Sequence, residues 1–241
     1  MITMQELADK FKKQAGIVDT SPVSPRLTHS CEKWRGLCNL LQIEQNFIFF
    51  SSKKGVINAW RNNLLWQLSK QCLSIAVLQD MEQAERDFVN LLALESKIPA
   101  YRLKSLLFKK GEKDLLAKII PFLESFYITW NLNSSIESDR KNRIFFLNTS
   151  WDQLPPASFW KQAKEKGQVV LGFVETPSKQ ADILPKFTKD GSHIGFLEVE
   201  ELQKTPNHAI ISLSLYNKTL EEKILFDFDF HTGLLTKVEK M

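Results

Sequence analysis

Short, wholly apolar runs recur along this chain, with amphipathic stretches between them. Residues 46–50 read Asn-Phe-Ile-Phe-Phe and lead into Ser-Ser-Lys-Lys-Gly55. Residues 73–78, 126–130, 143–147 and 168–174 are further runs of this kind. A strand with one wet face alternates apolar and polar residues; a strand covered on both faces does not, and is typical of a parallel sheet. Helices are predicted between the runs, over 57–71, 82–95, 100–108, 112–124 and 157–166. Strand–helix alternation predicts a parallel sheet with crossover helices. The last third changes character. Residues 194–199, 208–216 and 223–230 read as strands joined by turns, with no helix between the last two, so a β-meander or hairpin should extend one edge of the sheet. The expected class is α/β: a mostly parallel central sheet flanked by helices, with a C-terminal antiparallel hairpin.

The chain ahead of the first run has two features. Residues 3–14 place Met4, Leu7 and Phe11 on one helical face. Residues 19–25 contain two prolines and two serines and read as a linker, followed by a helical pattern over 29–41 with Trp34, Leu37, Leu40 and Leu41 inward. The expected organisation is an N-terminal helix and linker over 1–21 and one α/β domain over 22–241.

Composition removes several classes. Of 241 residues, 43% are hydrophobic, enough for a large core, and 25% are charged, so a wholly disordered chain is excluded. The net charge of +4 permits nucleic-acid binding without arguing for it. The tightest basic cluster, Lys104, Lys109, Lys110 and Lys113, reads first as a solvated helix face. Cys31, Cys38 and Cys72 lack metal-ligand spacing and suit free thiols in a reducing compartment. His29, His193, His208 and His231 stand apart, so no metal site is expected. Residues 1–13 lack the apolar stretch of a signal peptide, and no run is long enough to span a membrane. The expected location is the cytoplasm, with no membrane partner.

The strand, turn and helix over 46–71 occur in the order of a phosphate-binding loop. Such loops cradle phosphates on backbone N–H groups at a helix N-terminus, with a lysine on the terminal phosphates and a Ser or Thr hydroxyl on magnesium. Here the turn reads Ser51-Ser-Lys-Lys-Gly-Val-Ile-Asn58, with one glycine, Gly55, and no Gly-Lys-Ser/Thr.

Read together, the following segments resemble the C-terminal core of DnaB-type replicative helicases. Residues 73–81 read Leu-Ser-Ile-Ala-Val-Leu-Gln-Asp-Met and resemble the strand that ends in that family's catalytic glutamate. Residues 85–103 contain Leu-Leu-Ala-Leu-Glu and then Ile-Pro-Ala-Tyr-Arg-Leu, similar to the family's next helix and the phrase after it. Residues 113–128 resemble the following helix and strand. Residues 143–148, Arg-Ile-Phe-Phe-Leu-Asn, resemble the Walker B strand, and 168–175, Gln-Val-Val-Leu-Gly-Phe-Val-Glu, the strand ending in a sensor glutamine. Residues 207–218 and 223–238 resemble the closing hairpin that carries a lysine and an arginine finger. The resemblance spans residues 22–238 in the family's order and implies a RecA-like P-loop NTPase fold.

Residue by residue, it also implies a lost chemistry. The P-loop lysine position falls on Ile57 and the Ser/Thr position on Asn58, which leaves a vestigial loop of Ser51, Lys53, Lys54, Gly55, Ile57 and Asn58. The catalytic glutamate position falls on Met81, with Asp80 and Glu82 as neighbouring carboxylates. The Walker B aspartate position is Asn148, the sensor glutamine position Glu175, and the finger positions fall near Leu215 and Asn217. Phosphoryl transfer in this fold depends almost wholly on positioned charge and metal, so the degenerate set implies a pseudo-ATPase with no cofactor and no metal. Segments similar to the family's DNA-binding loops are 150–157 and 176–189. Lys179, Lys186 and Lys189 could touch phosphates there and Trp151 could stack a base, although surface lysines and an edge-packing tryptophan read equally well.

Three functions are compatible with this sequence. One is an inactive DnaB-like protein that binds or regulates in DNA replication, with a replicative helicase, a loader or a second copy as protein partner. In that family a linker helix docks on the neighbouring subunit, and the stripe Met4, Leu7 and Phe11 would serve either that or packing on its own domain. The second is an active ATP-dependent helicase with an aberrant P-loop, for which ATP and magnesium would be cofactors. The third is an ATP-independent nucleic-acid-binding protein.

Overall fold

The apolar runs fold as the buried parallel strands that their lack of alternation predicts. The computed structural model describes residues 2–18, 46–71, 74–78, 81–131, 144–177, 193–202, 207–217 and 220–238. In chain order the elements are β1 (Ile2–Thr3), α1 (Met4–Ala15), β2 (Phe47–Ser51), α2 (Lys54–Ser69), β3 (Ile75–Leu78), α3 (Met81–Ser96), α4 (Ala100–Ser105), α5 (Glu112–Glu124), β4 (Ile128–Asn131), β5 (Ile144–Ser150), a 3₁₀ turn (Trp151–Gln153), α6 (Ala157–Glu165), β6 (Val169–Glu175), β7 (His193–Leu202), β8 (His208–Asn217), β9 (Leu220–Asp229) and β10 (Leu235–Lys237). The linker and helix predicted over 19–41, and Cys31, Cys38, Cys72 and His29, lie outside the described residues.

The described strands form one sheet in the order β1-β4-β3-β5-β6-β2-β7-β8-β9-β10. The strands from β4 to β7 in that order are parallel; β1 and β8 to β10 are antiparallel. β7 belongs to both halves, pairing parallel with β2 and antiparallel with β8. The meander predicted at one edge is therefore grafted onto the parallel sheet through β7. Two glycines make close packing possible: a Cβ on Gly195 would sit 2.6 Å from Phe49 Cδ1, and one on Gly172 2.7 Å from Trp160 Cη2.

The two faces of the sheet carry different layers. One apolar core joins Phe47, Phe49, Ile75, Val77, Ile144, Phe146 and Phe173 to residues of α1, α2, α3, α4 and α5. The other joins Ile48, Phe50, Ala76, Phe145 and Val170 to Trp160 and Ala163 of α6. Side chains along a strand alternate between faces, so the aromatic run of β2 feeds both cores.

The helix at the N-terminus is part of this fold. Thr3 and Glu6 form a capping box: Glu6 N donates to Thr3 Oγ1 at 3.3 Å and Thr3 N to Glu6 Oε2 at 2.7 Å. Gly16, at φ 62°, closes the other end. The stripe Met4, Leu7 and Phe11 is buried by the chain's own α3 and α5; the Phe11 and Phe88 rings are 5.8 Å apart. Lys10 pairs with Glu85, and Lys12 with Glu124 at 2.9 Å. The stripe read as a face for a neighbouring subunit is thus covered within one molecule.

Between α2, α3 and β4 lies a buried ion pair. Arg61 and Asp87 are 1% and 0% exposed and bond directly through Arg61 Nη2. Asp87 also accepts from Gln83 Nε2 at 2.9 Å and from Trp130 Nε1 at 3.2 Å. Arg61 Nε and Nη1 find no acceptor among the described residues, so Asp87 carries nearly all of the compensation for burying the guanidinium. Asp87→Ala is expected to cost about 3–5 kcal/mol, because it strands that charge. Arg61→Met with Asp87→Leu should recover most of the loss. Urea unfolding of the three proteins measures both.

Candidate functional site

The C-terminal ends of parallel strands are where an open α/β sheet binds ligands. Ser51, Glu175 and Ser150 lie in register across β2, β6 and β5 at this edge. Asn148 sits lower on β5, opposite Phe173. Period-two alternation places Ser51 on the face of Phe47 and Phe49, Asn148 on that of Phe146, and Glu175 on that of Phe173, all of which belong to the core beneath α2. The structure thus brings Ser51, Asn148, Glu175 and the start of α2 to one edge and one face. Met81 is the first residue of α3, the helix that follows β3. Asp80 lies outside the described residues, and the exposed Glu82 pairs with Arg86 along α3.

The loop itself differs from the prediction. The sequence suggested a helix from residue 57; α2 begins at Lys54, with Lys53 as N-cap. Only Ser52 and Lys53 separate strand from helix. Residues 54–58, read as the far half of a phosphate loop, are the first turn of α2. Val56 N and Ile57 N both donate to Lys53 O, at 3.0 and 3.1 Å. Two of the N–H groups that a phosphate would need are therefore used inside the protein. Ser51 is buried and tied on three sides: its Oγ donates to Leu197 O at 2.9 Å and accepts from Lys53 N at 3.2 Å, and its carbonyl accepts from Thr176 N at 3.0 Å.

The side chains at this edge agree with the backbone. Ile57, at the lysine position, is 2% exposed and belongs to the apolar core. Lys53 and Lys54 are exposed, and Asn58 is half-buried one residue further along the helix. Glu175 is exposed at the same edge and adds a negative charge where a polyphosphate would need a positive one. Gly55 is helical, its φ is not positive, and a Cβ there would meet nothing within 4 Å. Nothing about its place requires glycine. Magnesium-bound ATP does not fit this residue set: the lysine position is filled by a core residue, the first-turn N–H groups are engaged, and no aspartate stands on β5 at Asn148. Among the described residues no cluster of three or more His, Cys, Asp or Glu could hold a metal ion.

The remaining predicted positions fall elsewhere. Leu215 pairs with Gly195, which pairs with Phe49, and Asn217 lies past the Ile194–Tyr216 pair at the level where β2 begins. Asn217 is thus roughly 13 Å along the strand direction from the level of Ser51, taking about 3.3 Å per residue, and the finger positions do not complete the chain's own site. Trp151 is half-buried, with its ring 6.1 Å from Phe50, and packs on the domain edge. Lys179, Lys186 and Lys189 lie outside the described residues. Lys104, Lys109, Lys110 and Lys113 are exposed, but they are spread over α4, the turn after it and the first turn of α5 rather than along one helix face.

No protein-family model and no curated protein matches the chain. Solved structures do. The chain is similar to a DnaB-like replicative helicase described with its interactions with primase, with a TM-score of 0.68 at 10% identity over 98% of this chain and 75% of that one. It is similar to a separately solved ATPase domain of a DnaB-like helicase, with a TM-score of 0.64 at 11% identity over 98% of both chains. It also matches the flagellar accessory protein FlaH from Methanocaldococcus jannaschii, with a TM-score of 0.52 at 9% identity over 89% of this chain and 99% of that one. The fold is therefore RecA-like, as in DnaB-like helicase ATPase domains. No helix among the described residues is long and apolar enough to cross a membrane.

Gly55 offers a direct test of the loop. A glycine that serves a phosphate cradle cannot be replaced, whereas one in the first turn of an ordinary helix only weakens it. Gly55→Ala is expected to raise stability by about 0.5–1 kcal/mol, read as a higher urea midpoint with unchanged slope.

Proposed function

We propose that this chain is a catalytically inactive, DnaB-helicase-like protein that serves as a binding or regulatory module in DNA replication. The observation that carries this reading is Ile57, a core residue at the lysine position, on a helix that starts at Lys54 and leaves only Ser52 and Lys53 as a loop. An apolar side chain cannot neutralise a triphosphate, and hydrolysis in this fold rests on positioned charge and metal. The departures at Asn58, Asn148 and Glu175 point the same way. A fold kept at this length without its chemistry is a scaffold, and a scaffold acts through what it binds.

The partners that suit the reading are proteins: a replicative helicase, its loader or a second copy of this chain. A neighbour of the same fold is a replicative helicase that interacts with primase, which supports a protein partner here. With such partners the protein would work in the cytoplasm, without ATP or magnesium as cofactor.

ATP turnover, measured with and without single-stranded DNA, is expected to stay at background in both cases. Arginine fingers alone contribute about 10³–10⁵ in rate in this chemistry, and here the lysine and metal-ligand positions are changed as well. Turnover stimulated by DNA would show instead an active helicase with an aberrant P-loop.

A further inference from the structure

The turn between α4 and α5 exposes a combination of side chains that the vestigial site does not use. Four of the nine large hydrophobic residues exposed among the described residues fall between Tyr101 and Leu115. Tyr101 is 64% exposed, Leu107 66% and Leu106 36%. Single exposed apolar residues are ordinary, but apolar residues gathered at one place mark an interaction surface. Basic charge gathers there too. Residues 101–118 hold Arg102, Lys104, Lys109, Lys110, Lys113 and Lys118 against Glu112 and Asp114, six minus two or +4, which equals the net charge of the whole chain.

The turn is also held in shape. Arg102 grips Glu112 through two bonds of 2.7 Å and donates from Nη2 to Leu107 O at 3.0 Å. Leu107 N returns a bond to Arg102 O at 3.1 Å, and Lys109 N donates to Glu112 Oε2 at 2.7 Å. Leu106 sits at φ 55°, a left-handed conformation that disfavours a side chain with a Cβ. A surface loop with no task could relax or carry glycine there. This one is braced by a bidentate pair and still presents leucine, and a surface fixed before binding loses less entropy on binding.

We propose that this turn, with Tyr101, Leu106 and Leu107 as apolar anchors and Lys104, Lys109 and Lys110 around them, is the docking surface for an acidic protein segment that carries apolar side chains. The lysines supply the charge complementarity that steers such a partner, and the leucines select protein over nucleic acid, since phosphate and sugar offer them nothing to pack against. The inference rests on the binding-module reading for its expectation of a protein partner.

The test is an NMR titration of the full chain with a synthetic helical peptide that has leucines on one face and glutamates on the other. A peptide with lysines in place of the glutamates, and oligothymidylate, are titrated in parallel at the same salt. Amide shifts confined to residues 101–110 with the acidic peptide are expected. Leu107→Ser and the pair Lys109→Glu with Lys110→Glu should each weaken binding by about tenfold. These positions are exposed, and unchanged spectra elsewhere will show that the variants fold. No shift with the acidic peptide, an equal shift with the lysine peptide, or shifts with oligothymidylate alone would each overturn the proposal. A silent titration leaves the inactive-ATPase reading standing, and ATP turnover would remove that reading without touching this surface.

Discussion

The burial of β2 on both faces is the constraint on which the other elements depend. All five of its residues are buried. Phe49 packs on Trp60 of α2 at 5.5 Å and on Phe173 of β6 at 5.6 Å, while Phe50 meets Phe196 of β7 at 5.5 Å on the opposite face. Each buried phenylalanine contributes on the order of 1.5–3 kcal/mol of transfer free energy. More telling is where they sit: a central strand that anchors both layers fixes how close α2 must lie. Trp60 reaches across to Phe226 of β9 at 5.3 Å and ties the antiparallel extension to the same helix. Asn63, fully buried, donates to Gly233 O and accepts from Leu235 N, which seats the turn before β10 on α2. Helix α2 is therefore a central packing element along most of its length, and its first turn follows suit.

That packing accounts for the edge where a nucleotide would sit. A phosphate loop needs free N–H groups, space and positive charge at the point where β2 meets α2. This chain places Val56 and Ile57 there as core residues and starts the helix as soon as the strand ends. The geometry of a RecA-like fold survives because the aromatic and aliphatic contacts that define it lie below this edge. Stability and nucleotide chemistry draw on different residues, so one can be lost while the other is kept.

Much of the fold was legible in the sequence, and the misses have physical causes. The parallel strands announced themselves as apolar runs without alternation, and α5 kept the bounds its periodicity predicted. The start of α2 was misplaced because Ser-Ser-Lys-Lys-Gly has the composition of a turn, while the helix there is held by what Val56 and Ile57 bury. β5 runs on through Asn148, Thr149 and Ser150, polar residues that propensity alone would leave in a loop, because β6 offers a full ladder beside them. β7 extends past Val199 for a similar reason: its partner β8 continues through a bulge near Val199 and Glu201. The degenerate positions were readable as residue types. Their convergence on one face was not, since it depends on the register of three strands. The packing of α1 on its own domain was equally hidden, as an apolar stripe does not say what covers it. The braced turn after α4 left no signal beyond a lysine cluster, because the Arg102–Glu112 pairing is a matter of geometry.

The decisive quantity is the affinity of the purified protein for ATP in the presence of magnesium, measured by calorimetry. A protein whose phosphate loop is absorbed into a helix and whose lysine position lies in the core should give no heat of binding at millimolar nucleotide. Binding in the micromolar range would mean that Lys53, Lys54 and the start of α2 still hold phosphate, and that the chain is a nucleotide-binding protein after all.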